Sequence, residues 1–125
     1  MADFQFLHTC YRIGEIDRSV AFYAKLGLTE QHRMPIGSDA TNVFLGTDEQ
    51  QRILELTYNH GVSEYDNGTG YGHIALRVSD IDATLSALAA DGIHPEKPPY
   101  TVSSGGSRIA FVRDPDGYRI ELIER

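Results

Sequence analysis

The stretch "GHIALRVSDID", residues 72–82, decides the fold because the chain contains a close copy of it, "LHTCYRIGEID", at residues 7–17. Histidine recurs at positions 8 and 73, arginine at 12 and 77, and aspartate at 17 and 82, always at the same spacing. A fixed internal period indicates that one structural unit is repeated. We therefore predict one domain, residues 1–125, made of two similar halves at about residues 4–60 and 70–125.

A helix is predicted after the strand that opens each half. Asp17 and Asp82 are suited to N-cap positions, and Gly27 and Gly92, which repeat at the same spacing, are suited to the C′ position. Apolar residues at i, i+3 and i+4 give each helix a face that can cover a sheet. The predicted faces carry Val20, Tyr23 and Ala24 in the first helix, and Leu85, Leu88 and Ala89 in the second.

Further strands are predicted in each half, with "RDPDGY" (113–118) as a hairpin turn between the last two. They are "TNVFLG" (41–46), "RILELTYN" (52–59), "SRIAFV" (107–112) and "YRIELIER" (118–125), with short strands near 29–34 and 94–97. Residues 58–72 form a glycine-rich, polar linker. Each half is therefore β-α-β-β with one further short strand, which is an α+β arrangement.

Side-chain alternation along the strands predicts which residues share a face. His8 and His73 lie opposite the more apolar side of their strands, which is the natural side for a helix to cover. The histidines are therefore expected on the other, concave face. Glu55 and Glu121 lie inside "ILELTY" and "RIELIE", where β-propensity disfavours a charge.

Two histidines and two carboxylates on one sheet surface predict a site for a divalent metal ion. Imidazole suits nickel, cobalt or zinc, and four protein ligands leave an octahedral ion two open positions. The alternative is that each side chain is a solvated strand residue or a satisfied core partner, but the duplication of the whole set favours the metal. His32, His60 and His94 have no twins and lie in turn-like segments, so they are expected at the surface.

Composition excludes several other classes of function. The net charge of −7 and the pI near 5.1 argue against a nucleic acid or an anionic membrane as partner. The N-terminal "MADFQFLHTC" lacks the pattern of a signal peptide and no apolar run is long enough to span a bilayer, so a soluble, cytoplasmic protein is expected. Cys10 is the only cysteine, which excludes an internal disulfide and a cysteine-based zinc site.

Four segments together resemble the glyoxalase I (lactoylglutathione lyase) family in its bacterial nickel-type form. They are "LHTCYRIGEIDRSVAFY" (7–23), "ILELTYNHGV" (53–62), "YGHIALRVSDI" (71–81) and "FVRDPDGYRIELIE" (111–124). The resemblance implies the vicinal oxygen chelate (glyoxalase/dihydroxybiphenyl dioxygenase-like) fold, with two tandem βαβββ modules in a homodimer whose active sites lie at the subunit interface. By position, the family's metal ligands match His8, Glu55, His73 and Glu121.

The resemblance also implies a reaction, the isomerisation of the hemithioacetal of methylglyoxal and a thiol to a thioester of lactate. Glu121 matches the catalytic base, and Arg12 and Asn59 match positions that hold the γ-glutamyl end of glutathione. The implied metal is Ni²⁺ or Co²⁺, with Zn²⁺ as a third candidate. The segment "TVSSGGSR" (101–108) offers only Arg108, and Lys97 further back, to hold the glycine carboxylate, so the thiol is left open.

Other functions within the same fold are the alternatives. A thiol transferase acting on fosfomycin or an iron extradiol dioxygenase would need two histidines and one carboxylate, so Glu55 argues against both. An acyl-CoA epimerase resembles the site more closely but typically has an amide at the Glu55 position. A metal-free drug-binding or resistance protein leaves the strand glutamates unexplained. Glu55 could also serve as the base in place of its twin, Glu121.

Overall fold

The computed structural model describes residues 3–125, which form two helices and eight strands. Contacts divide the chain into two compact units, one that ends at Tyr65 and one from Asp66 to Arg125. Each unit contains one helix and one four-stranded sheet in the order β-α-β-β-β. The predicted α+β class, with the βαβββ module present twice, is confirmed. Neither helix within residues 3–125 is long and apolar enough to cross a membrane.

The first unit places its sheet against one helix. Its elements are β1 (Thr9–Ile13), α1 (Ile16–Lys25), β2 (Thr29–Ile36), β3 (Ala40–Gly46) and β4 (Leu54–Asn59). The sheet has the order β1-β4-β3-β2, with β1 parallel to β4 and the other pairs antiparallel. Leu54 and Leu56 of β4 are almost fully buried, as are Tyr11 and Ile13 of β1. The alternate residues of both strands therefore emerge on the opposite face.

The second unit repeats this plan. Its elements are β5 (Ile74–Val78), α2 (Ile81–Ala89), β6 (Tyr100–Thr101), β7 (Arg108–Arg113) and β8 (Arg119–Glu124). The sheet has the order β5-β8-β7-β6, with β5 parallel to β8. Ile120 and Leu122 of β8 are fully buried, so they correspond to Leu54 and Leu56 of β4.

The predicted N-caps were wrong at both helices. Glu15 and Asp80 occupy the N-cap positions, whereas Asp17 and Asp82 lie in the first helical turns. The Asp80 carboxylate accepts a hydrogen bond from the Ala83 N–H at 3.0 Å. Asp17 and Asp82 are the aspartates that both halves of the repeat share. A carboxylate in the first turn interacts favourably with the positive end of the helix dipole. An aspartate can therefore recur at this position of the repeat although it is not the N-cap.

The predicted glycine ends of the helices are confirmed. Gly27 and Gly92 have φ angles of +89° and +77°, the left-handed region that favours glycine. The Gly27 N–H donates to the Ala24 carbonyl at 3.1 Å, and the Gly92 N–H donates to the Ala89 carbonyl at 3.0 Å. The two helices therefore end in the same hydrogen-bonded turn, at equivalent positions of the repeat.

The buried helix faces are rotated from the predicted ones. In α1 the buried residues are Ser19, Phe22 and Tyr23, while Val20 is half-buried and Ala24 is exposed. In α2 they are Ile81 and Leu88, while Leu85 is half-buried and Ala89 is exposed. Burying Phe22 removes more apolar surface from water than burying Ala24 would, so the helix turns its larger side chains toward the sheet.

The short strand predicted near residues 94–97 was also wrong, because β6 comprises only Tyr100–Thr101. Three prolines between residues 94 and 99 interrupt the segment, and proline cannot donate to a strand ladder. The segment still contacts the sheet, since the Glu96 N–H donates to the Phe111 carbonyl of β7 at 2.9 Å.

Candidate metal centre

The first unit brings His8 and Glu55 together. His8 immediately precedes β1, and Glu55 lies in the neighbouring strand β4, where its Cα partner is Cys10. The Nε2 atom of His8 is 3.5 Å from Oε2 of Glu55, and the side chains are 35% and 16% exposed. Because Leu54 and Leu56 are buried on either side of it, Glu55 must emerge on the face that the helix does not cover.

The second unit brings His73 and Glu121 together in the same way. His73 immediately precedes β5, and the Cα partner of Glu121 is Ala75. The Nε2 atom of His73 is 3.0 Å from Oε1 of Glu121, and the side chains are 33% and 16% exposed. The sequence period therefore produces two equivalent pairs of a histidine and a glutamate, one in each sheet.

A phenylalanine packs against each histidine, and neither phenylalanine is indicated by the sequence pattern. Phe44 is the cross-strand neighbour of Glu55, and Phe111 is that of Glu121. The His8 and Phe44 rings meet edge to face with centroids 5.7 Å apart, and the His73 and Phe111 rings do so at 5.0 Å. The spacing between the two phenylalanines differs from the spacing between the two histidines. The sequence period that relates the histidines therefore does not relate the phenylalanines.

The donor atoms of each pair fit adjacent positions around one metal ion. Ligand atoms about 2.1 Å from an ion and at right angles to each other lie about 3 Å apart, close to the 3.5 Å and 3.0 Å found here. Imidazole nitrogen and carboxylate oxygen suit a borderline divalent ion. No group of three or more such residues suited to a metal occurs within residues 3–125. The sharing of one ion by all four side chains therefore stays a prediction.

The residues predicted to bind substrate lie on the same sheet face as Glu55. Arg12 of β1 is exposed, and its Cα partner is Thr57, two residues after Glu55 on β4. Asn59 follows at the end of β4, and its amide Nδ2 donates to the Tyr65 hydroxyl at 2.9 Å. From Glu55 to Asn59 the strand advances about 13 Å, enough to separate a reacting group from the far end of a small thiol.

The thiol of Cys10 lies beside this pair. Its Sγ is 3.3 Å from Oγ1 of Thr57. Loss of hydration at the sulfur raises the pKa of Cys10 above its ordinary value, although the residue as a whole is exposed, and the nearby Glu55 carboxylate acts in the same direction. The thiol is therefore protonated at neutral pH and can act as a hydrogen-bond donor.

A cavity of about 240 Å³ lies on the second unit, lined by Glu96, Lys97, Tyr100, Phe111 and Arg119. The Arg119 guanidinium lies 3.7 Å above the Phe111 ring. Hydrogen bonds from Arg119, the shortest at 2.7 Å, hold the pKa of Glu96 below its ordinary value. Lys97 stacks over Tyr100 at 3.9 Å.

The remaining residues singled out from the sequence lie elsewhere. Arg108 donates to both carboxylate oxygens of Asp82 at 2.9 Å and 3.0 Å, so it is engaged outside this cavity. His60 and His94 are exposed, as predicted. His32 is half-buried within β2 rather than in a turn, and its ring centroid is 6.0 Å from that of Phe44.

The model of the Glyoxalase/Bleomycin resistance protein/Dioxygenase superfamily matches residues 5–122, which include both histidine–glutamate pairs. The chain belongs to this superfamily. Similar proteins in the superfamily include the lactoylglutathione lyase of Haemophilus influenzae, 44% identical over 124 residues that cover 96% of this chain and 92% of that protein. The lactoylglutathione lyase of Arabidopsis thaliana is 42% identical over 97% of this chain, which spans only 44% of that relative's length.

Solved structures of the superfamily agree with the fold. The glyoxalase I of Leishmania major has a TM-score of 0.82 and 38% identity, covering 98% of this chain and 87% of that one. The glyoxalase I of Zea mays has a TM-score of 0.87 and 37% identity, covering 97% of this chain and 44% of that one. Because the superfamily's description spans glyoxalases, resistance proteins and dioxygenases, the activity must be argued from the site itself.

Proposed function

We propose that this chain is a metal-dependent lactoylglutathione lyase, which isomerises the hemithioacetal of methylglyoxal and a thiol to a thioester of lactate and so detoxifies methylglyoxal. The observation that carries the proposal is the histidine–glutamate pair repeated on both sheets, with donor atoms 3.5 Å and 3.0 Å apart. The similarity to the Haemophilus influenzae enzyme, over 96% of this chain, supports it. A cytoplasmic setting belongs to the same proposal.

One divalent ion per site, Ni²⁺ or Co²⁺ in preference to Zn²⁺, is part of the proposal. His8 and Glu55 of one chain would share that ion with His73 and Glu121 of a second chain in a homodimer. Each pair supplies two ligands, so two pairs complete four positions of an octahedron and leave two for substrate. The dimer follows from the family resemblance.

When bound, such an ion supplies Lewis acidity and a template for the two adjacent oxygens of the substrate. Glu121 removes the proton from the carbon that carries the sulfur and the hydroxyl group, beside the carbonyl. It then returns a proton to the neighbouring carbon. The reaction moves one hydrogen between two carbons and needs no external oxidant or reductant. Arg12 and Asn59 would hold the γ-glutamyl end of the thiol.

The competing functions account less well for Glu55. A metal-free binding protein leaves unexplained why a carboxylate that is only 16% exposed lies in this strand. An epimerase of acyl-CoA thioesters or a thiol transferase would not require this second carboxylate. The lyase uses all four side chains.

The proposal is tested with chelator-treated protein reloaded with nickel, cobalt or zinc. We expect the loaded protein to form a lactate thioester from the hemithioacetal of methylglyoxal and glutathione. Trypanothione is the second thiol to test, because the glyoxalase I of Leishmania major is trypanothione-dependent. His94→Ala, which changes an exposed histidine outside both pairs, is the control and should retain activity. Absence of product with every metal and thiol would reject the proposed function.

A further inference from the structure

The two glutamates of the proposed site occupy equivalent positions but have different neighbours. Two residues after Glu55, β4 carries Thr57, whereas two residues after Glu121, β8 carries Ile123. The difference continues on the adjacent strands. Glu55 faces Cys10 on β1, whereas Glu121 faces Ala75 on β5. Thr57 faces Asn42 on β3, whereas Ile123 faces Ile109 on β7.

Glu55 lies in a polar cluster centred on the Thr57 hydroxyl. The Oγ1 atom of Thr57 is 3.4 Å from Oε1 of Glu55 and 2.8 Å from Oδ1 of Asn42. The Cys10 sulfur lies 3.3 Å from the same hydroxyl. The hydroxyl has a single proton. A half-turn of the Asn42 amide would bring its NH₂ group to the Thr57 oxygen as a donor, and the hydroxyl proton would then be directed to Glu55. The cluster can therefore hold the carboxylate from behind while its other oxygen faces His8.

Glu121 has no such support. Within residues 3–125, the only hydrogen bond that its carboxylate makes is with His73, at 3.0 Å. The three positions equivalent to the polar cluster carry alanine and isoleucine, whose side chains cannot donate. Arg119 is a nearby cation on the same strand face, but its guanidinium donates to Glu96 at 2.7–3.1 Å. Within residues 3–125, His73 is therefore the one hydrogen-bonding partner that holds this carboxylate.

We propose that Thr57, with Cys10 and Asn42, tethers Glu55 as a permanent metal ligand, and that the apolar surroundings of Glu121 leave this carboxylate free to detach and act as the base. Thr57 is thus a positioning residue. This inference rests on the proposed function and deepens it, because it explains why two carboxylates related by the repeat take different roles. A hydrogen bond to a charged group changes an equilibrium by roughly tenfold or more.

The inference is tested by removing the hydroxyl group at position 57 and by introducing one at position 123. Thr57→Val removes the hydroxyl with little change of shape, and we expect nickel affinity, measured by competition with a chelator, to fall by about tenfold. Thr57→Ser, which keeps the hydroxyl, should restore it. Ile123→Thr places a hydroxyl behind Glu121, and we expect turnover to fall by about tenfold at full metal occupancy. Thr29→Val, on β2 of the first sheet, is the matched control for affinity.

Each outcome decides a separate part of the inference. Nickel affinity equal to that of the unmodified protein in Thr57→Val would reject the tether, and unchanged turnover in Ile123→Thr would reject mobility as the difference between the carboxylates. If Thr57→Val does not fold, as judged by circular dichroism, the Ile123→Thr result decides the question. Nickel affinity does not depend on the reaction, so a protein without lyase activity would reject the proposed function and still allow the tether to be tested.

Discussion

Glu121→Gln is expected to lose on the order of 10³-fold or more in turnover while it still binds the metal, because a positioned base typically contributes that much. The amide keeps an oxygen that can remain a ligand, but it cannot accept a proton from carbon at neutral pH. Glutamine has nearly the same volume and hydrogen-bonding reach as glutamate. It therefore fits the position beside His73, where the side chain is only 16% exposed. The loss should therefore appear in turnover and not in folding.

Glu55→Gln is the matched control, because its position in β4 is equivalent to that of Glu121 in β8. We expect it to weaken metal binding and to lose far less turnover than Glu121→Gln once the metal site is saturated. Steady-state kinetics of both proteins, with metal content measured on the same samples, separates the two effects. Near-normal turnover in metal-loaded Glu121→Gln would show that the base is misassigned, and Glu55 would then take its role.

Loss of either histidine is expected to abolish activity through loss of the metal. His8→Ala and His73→Ala each remove one nitrogen ligand and leave the neighbouring carboxylate, 3.5 Å or 3.0 Å away in the present pairs, without its partner. If all four side chains hold one ion, each variant loses a quarter of the ligands of the same site, although the two histidines belong to different halves of the repeat. Metal analysis after reloading with nickel should find one ion per chain in the unmodified protein and little in either variant.

The outcome of that metal analysis distinguishes one shared site from two independent ones. Independent binding by each pair would leave His8→Ala with an ion at His73, and His73→Ala with an ion at His8. His60→Ala is the matched control, since His60 is exposed and bonds to Thr41 at 2.9 Å, outside both pairs. Unchanged metal content in both ligand variants would contradict the proposed ligand set.

The repeat made the fold and the histidine–glutamate pairs accessible to sequence reasoning. Spacing identified His8 and His73 as equivalent, and strand alternation predicted that Glu55 would emerge between buried leucines, as it does. The same reliance on shared residues caused an error at the helix starts. Asp17 and Asp82 are shared by both halves, but capping depends on the local backbone, and Glu15 and Asp80 occupy the N-cap positions.

Contacts made by residues that do not recur at the repeat spacing could not be predicted from the repeat. Phe44 and Phe111 contact the histidines from neighbouring strands, and which residues face each other across a ladder depends on loop lengths that differ between the halves. Thr57 and Ile123 carry no signal in the sequence, because neither residue type is unusual in a strand. Their significance emerges only when the environments of the two glutamates are compared in three dimensions.

Mixing the two inactive histidine variants shows whether each active site takes one histidine–glutamate pair from each of two chains. Random exchange between His8→Ala and His73→Ala protein makes half of the dimers mixed, and each mixed dimer has one intact site out of two. We expect the mixture to recover about a quarter of the unmodified activity. No recovery, although subunit exchange is demonstrated by mass spectrometry of differently tagged chains, would contradict it.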